Sequence, residues 1–160
     1  MTQWANVTLR PETEEDKSFL LELFISTREQ AFGFGDLSPT DRTPLLREQF
    51  ELQHGQYKLY PHAWFTIIIV ANQPAGRLYV SQSPKEMRVI DLSLLPAYQN
   101  KGIGSQLLKN LQAEATRTQL PLRLYVDNLN PAYNFYTRLG FRRIGETASH
   151  IHMQWNHDQC

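Results

Sequence analysis

Leu92-Ser93-Leu94-Leu95-Pro96-Ala97-Tyr98-Gln99-Asn100-Lys101-Gly102-Ile103-Gly104-Ser105 reads as a strand that passes through a short polar loop into a helix. The residues that follow set the helical period, because Ile103, Leu107, Leu108, Leu111 and Ala115 fall on one face and Gln106, Lys109, Asn110 and Glu114 on the other. A helix that begins directly after two glycines leaves its first N–H groups without backbone acceptors and its positive dipole end open. Gly102 and Gly104 carry no side chain to hold a ligand off that backbone, and Lys101 and Ser105 add a charge and a hydroxyl, so the segment suits a phosphate or pyrophosphate. A plain helix start with turn glycines is the other reading of a lone Gly-x-Gly.

Upstream, Met87 to Leu95 forms a third strand that ends at Pro96. Trp64 to Ala71, a turn at Asn72-Gln73-Pro74, and Gly76 to Ser81 form a hairpin rich in β-branched residues. Val7 to Arg10 is a short strand stopped by Pro11, and Thr13-Glu14-Glu15-Asp16 matches a capping box. The helix after it buries Phe19, Leu20, Leu23, Phe24 and Ala31, leaves Lys17, Glu22 and Glu29 wet, and ends at Gly33, Gly35 and Pro39. A second helix, from Thr43-Pro44 to about Tyr57, carries Leu45, Leu46, Phe50 and Leu52. Downstream come the strand Leu122 to Val126, a short helix from Pro131 to Leu139, and the strands Phe141 to Glu146 and His150 to Trp155. This order predicts one α+β domain with a mixed, mostly antiparallel sheet of about seven strands flanked by about four helices.

The 160-residue chain is 41% hydrophobic and 20% charged, values that allow one buried core. Sixteen basic residues oppose sixteen acidic ones, so no general field draws the chain to nucleic acid or an anionic membrane, and any anion site is local. The longest apolar run, Trp64 to Ala71, is far short of a membrane helix, and Met1 to Arg10 lacks a signal-peptide pattern; we expect a cytoplasmic protein. Cys160 is the one cysteine, which excludes an internal disulfide and a multi-thiolate metal site. His150 and His152 alternate on the last strand without a third ligand nearby, and the exposed face of an edge strand accounts for them, with Ile151, Met153 and Trp155 turned to the core. No metal is expected.

Two common nucleotide signatures fail. A Walker loop places its lysine after the glycines, whereas Lys101 precedes them. A dinucleotide fingerprint needs a third small residue where this chain has Leu107, and the antiparallel hairpin before the loop also argues against it, although Asp127 lies near the right distance. Instead, Gln99-Asn100-Lys101-Gly102-Ile103-Gly104 resembles the Gln/Arg-x-x-Gly-x-Gly/Ala pattern of the GNAT N-acetyltransferase superfamily. Asn130-Pro131-Ala132-Tyr133-Asn134-Phe135-Tyr136-Thr137-Arg138-Leu139-Gly140-Phe141 resembles its second motif at the usual distance. The close resemblance covers Met87 to Trp155, taken as the coenzyme A-binding and catalytic half of a single domain. Residues 1–63 then form the variable acceptor side.

The resemblance implies acetyl transfer from acetyl-CoA, as co-substrate, to a primary amine of a small molecule or peptide in a ternary complex. A catalytically weak CoA-binding or sensor module is the alternative. It implies that Leu92 to Leu94 pair with the pantetheine arm, that the Leu94 amide polarises the thioester carbonyl, and that Gln99, Asn100, Lys101, Gly102, Ile103, Gly104 and Ser105 cradle the pyrophosphate. Asn130 then contacts the cofactor arm, with a cap before Pro131 as its other reading. Tyr136 protonates the leaving thiolate, with an aromatic core role beside Phe135 as its other reading. An alkylamine, with a pKa of about 10.4, must lose a proton before attack. Asp91, on the same strand face as Ser93, is the candidate base, or else a hydrogen-bonded strand residue. Gln49, Gln53 and Tyr57 recur at helical spacing and, with Tyr60, are candidate acceptor contacts; Arg77 and Tyr79 are weaker ones. The resemblance also allows a homodimer.

Overall fold

In the computed structural model, residues 6–32, 39–128, 130 and 132–156 are described, with side chains of 29, 30 and those up to 43 excepted. One seven-stranded sheet runs in the order β1-β2-β3-β4-β5-β7-β6, with β1 Val7–Pro11, β2 Ala63–Val70, β3 Gln73–Gln82, β4 Met87–Leu94, β5 Leu122–Asp127, β6 Arg142–Glu146 and β7 His150–Trp155. Four helices accompany it among the described residues: α1 Lys17–Phe32, α2 Pro39–Tyr57, α3 Ile103–Thr118 and α4 Ala132–Arg138. Every strand pair is antiparallel except β4 with β5. The expected α+β domain and order of elements are both found.

The apolar stripe of α3 builds the larger core. Ile103, Leu107, Leu108 and Ala115 are buried against Ile68, Leu78, Val80, Val89, Leu122, Leu124 and Met153 of the sheet. Leu108 is fully enclosed, so truncating it to alanine is expected to cost about 2–5 kcal/mol. On the opposite face, Leu20, Phe24, Leu46 and Phe50 of α1 and α2 close over Ile67. The entry to α1 is fixed by Asp16, which accepts bonds from the Thr13 N–H at 2.7 Å and from Arg10 at 2.7 and 2.9 Å. Arg10 holds that carboxyl below the usual aspartate range.

Several local boundaries differ from those read in the sequence. Pro11 belongs to β1 and pairs with Thr66, which an edge strand tolerates because the missing N–H need not face a neighbour. The hairpin turns at Ala71 and Asn72, both with positive φ, as a two-residue turn of primed type requires; Gln73 and Pro74 already lie in β3. The register shift beside Ile69 lets Pro74 sit in that strand. Helix α2 begins at Pro39, so Pro44 stands inside it and not at its first turn. The last strand, β7, is not an edge: it lies between β5 and β6, and His152 is edge-on to Tyr125 with ring centroids 3.8 Å apart. Gly33, Gly35, Pro131 and Cys160 lie outside the described residues.

Candidate functional site

The site begins where two parallel strands part. β4 and β5 pair only at Met87–Leu122, Arg88–Arg123 and Val89–Leu124. Ile90 is an extra residue in the ladder, since Tyr79 faces Asp91 while Val80 faces Val89; this bulge re-aims the rest of β4 away from β5. The Leu95 N–H bonds the Ala75 carbonyl at 2.8 Å, which sets the alternation along β3 and β4. Arg77–Ser93 and Tyr79–Asp91 are then the bonded pairs, and Leu92 and Leu94 turn their N–H and C=O groups toward the gap. The Leu94 carbonyl accepts from the Gln99 side-chain amide at 2.8 Å, which ties the following loop to the strand.

After the 3-10 turn Pro96–Tyr98, the chain takes the left-handed conformation at Asn100 (φ 59°) and Gly102 (φ 78°). Glycine adopts that conformation at no steric cost, and asparagine at little. The first intrahelical bond of α3 is Gln106 N–H to the Gly102 carbonyl at 3.0 Å, and no side chain caps the helix. The Ile103, Gly104 and Ser105 amides therefore stand as donors without a partner among the described residues, at a positive helix end. The Ile103 side chain is buried, so only its backbone has anything to offer a ligand, while Lys101 is exposed. A Cβ at Gly104 would lie 3.4 Å from Phe135 Cζ and 3.9 Å from Leu92 Cδ2, so β4, α3 and α4 converge there.

Helix α4 is entered through Asn130, whose Oδ1 accepts the Ala132 N–H at 2.9 Å, so the side chain caps the helix. Tyr136 is buried between Phe135 and Phe141, with ring centroids 5.3 and 5.7 Å away. Burial first, and the Asp91 charge second, push its phenol above the ordinary tyrosine range, so it holds its proton at neutral pH. It is a core residue whose hydroxyl keeps its proton.

Asp91 is already engaged. Its Oδ2 lies 2.5 Å from Arg77 Nη2, and its Oδ1 accepts from the Ser93 hydroxyl at 2.7 Å. Arg77 is only 2% exposed, also bonds Gln53 Oε1 at 2.9 Å, and sits 5.2 Å from the ring centres of both Tyr57 and Tyr79. Burial, then the Asp91 charge, push the Tyr57 phenol up. Tyr79 donates a short bond to Glu12, which also takes Lys58 Nζ at 2.6 Å. Of the four acceptor-side candidates, Gln53 and Tyr57 therefore reach the strand, Tyr60 is half-buried, and Gln49 is exposed.

Glu12 and Lys58 carried no sequence motif. The signal for Arg77 was its place in a strand whose two faces are both buried, where a charge requires a partner on the neighbouring strand.

The described residues contain no group of three His, Cys, Asp or Glu placed to hold a metal, and no helix long and apolar enough to cross a membrane. Residues 62–143 match the family model described as an acetyltransferase (GNAT) domain. The PaiA N-acetyltransferase of Thermoplasma acidophilum, solved with coenzyme A, superposes with a TM-score of 0.71 at 20% identity, over 94% of this chain and 99% of that one. An acetyltransferase of Thermus thermophilus gives 0.68 at 18% identity, over 94% and 97%. Ard1 of Thermoplasma volcanium gives 0.60 at 16%, over 94% and 97%. No curated protein matches the sequence significantly. At these identities the structures establish a shared fold.

Proposed function

The chain belongs to the GNAT acetyltransferase family, and from that premise we propose that it transfers an acetyl group from acetyl-CoA to a primary amine of a small molecule or peptide. The observation that carries this reading is the gap beside Leu92 and Leu94, continuous with the unpaired amides at the start of α3. The residues present fit the co-substrate. The Ile103, Gly104 and Ser105 amides hold its diphosphate, with Gln99, Asn100, Lys101 and Gly102 shaping the loop, and the edge of β4 takes its extended arm as a missing strand. Asn130 borders the arm. Residues 87–155 form this side of the domain and residues 1–63 the acceptor side, with Gln49, Gln53, Tyr57 and Tyr60 as acceptor contacts.

When bound, acetyl-CoA supplies an activated acetyl carbon whose bond to sulfur is exchanged for one to the amine nitrogen. The Leu94 N–H, aimed into the gap, polarises the carbonyl; one such donor is worth about 3 kcal/mol. The Tyr136 hydroxyl, held protonated by burial, gives its proton to the departing thiolate and regains one from water. The surplus proton of the amine passes to water. Incubation with acetyl-CoA and n-butylamine, phenethylamine, lysine amide or glycine amide should release free thiol with at least one of them. Silence with all four contradicts transfer.

A second reading, a CoA-binding module without turnover, is supported by the engagement of Asp91, which leaves no carboxylate free on β4 to take the amine proton. Thermal stabilisation by CoA without transfer would favour it.

A further inference from the structure

The Arg77–Asp91 pair is an expensive arrangement for a core. Guanidinium and carboxylate lie 2.5 Å apart, with side-chain exposures of 3% and 14%, and two nitrogens of Arg77, Nε and Nη1, have no hydrogen-bond partner among the described residues. Apolar residues of similar volume generally stabilise a core at least as well as such a pair, so stability alone does not account for it. Its position is informative. Asp91 precedes Leu92 on β4, after the bulge that opens the gap, and its charge is felt by the buried Tyr136 phenol. On the other side, Arg77 joins Asp91 to Gln53 of α2 and lies between Tyr57 and Tyr79. Arg77 and Ser93 each bond one Asp91 oxygen and the Tyr57 hydroxyl bonds the same carboxylate, which fixes the group while leaving about one of its four lone-pair sites for a further N–H donor.

We propose that Arg77 is a positioning residue that locks the Asp91 carboxylate at the rim of the gap as an anchor for the N–H donors of the acceptor amine, and that Asp91 orients this amine without removing its proton. The inference rests on the acyl-transfer reading and adds a specificity determinant to it. Acceptors with two or more N–H donors on the attacking nitrogen fit the anchor. Fully substituted amines do not.

The test uses the full chain and the four amines named above. Arg77→Met is expected to raise the acceptor KM about ten- to hundredfold, the loss of a charged hydrogen bond, with the acetyl-CoA KM and the calorimetric CoA affinity unchanged. Arg77→Lys should recover most of that loss. In an Asp91→Asn background Arg77→Met should add less than about threefold, because the two act through one contact. The double variant also removes both charges together, which guards against a misfolded single variant with a stranded carboxylate. Equal losses toward both substrates, weakened CoA binding, or multiplicative losses in the double variant would overturn the positioning role. A kcat collapse in Asp91→Asn at unchanged acceptor KM would return Asp91 to the role of base. Wild-type silence with every amine would sink the acyl-transfer reading itself, and the proposal with it.

Discussion

Replacing Gly102 separates the cradle from the fold. Its φ of 78° costs an L-residue roughly 1–2 kcal/mol, with a β-branched one at the upper end, so Gly102→Val should lower the midpoint of thermal unfolding by about 4–8 °C. Binding should suffer far more. Three amides, from Ile103 to Ser105, follow this residue without intrahelical partners, and hydrogen bonds to a charged group are worth about 1.5–3 kcal/mol each. A branched side chain at the mouth that displaces the diphosphate from two of them costs about 3–6 kcal/mol, or roughly a 10²- to 10⁴-fold loss of CoA affinity. Gly102→Asn is the control, because asparagine visits this backbone region readily; it should unfold close to wild type and still bind weakly. Titration calorimetry with CoA reads the affinity and differential scanning calorimetry the fold. A Gly102→Val protein that binds CoA within threefold of wild type would refute the placement of the diphosphate.

Other perturbations follow from the same geometry. Tyr136→Phe should lower kcat by about 10²-fold with CoA affinity intact, measured by thiol release and calorimetry. A Cβ at Gly76 would lie 2.0 Å from the Ser93 carbonyl oxygen, so Gly76→Ala should distort β4 and cost more than about 2 kcal/mol in urea unfolding. Gly55, inside α2, meets nothing within 4 Å, so Gly55→Ala should stabilise by about 0.5–1 kcal/mol. Burial lowers the His54 pKa from its ordinary 6.5, with Glu12 opposing. The unfolded chain therefore binds this proton before the folded one does. Stability due to His54 is present above pH 6.5 and is lost as pH falls toward the folded value, by at most about 1.4 kcal/mol per pH unit. His54→Phe should flatten that slope in urea titrations at successive pH values.

Much of the fold was legible because it is periodic. The α3 stripe from Ile103 to Ala115 named its own buried face, and the glycine pair marked the loop that opens the helix; the left-handed turn at Gly102 is a finding of the structure. What escaped was set by distant partners. Pro44 is an acceptable first-turn residue in isolation, and nothing local says that α2 extends back to Pro39. His150 and His152 look like edge-strand residues until β6 is seen to pair outside β7. The open amides at the start of α3 stand where the glycine pair of the loop pattern puts them, but the opening of the gap beside Leu92 and Leu94 depends on a bulge at Ile90 that no residue type announces. Arg77 and Asp91 both stand out in the sequence, yet their union across β3 and β4 is a matter of register. That union gives the candidate base a buried guanidinium partner.

The most direct measurement is a crystal structure of the chain grown with acetyl-CoA. The account predicts the diphosphate within hydrogen-bonding distance of the Ile103, Gly104 and Ser105 amides, the arm lying along Leu92 and Leu94, and the thioester oxygen on the Leu94 N–H. A complex with the diphosphate elsewhere, or with the gap between β4 and β5 closed and empty beside bound ligand, would contradict it.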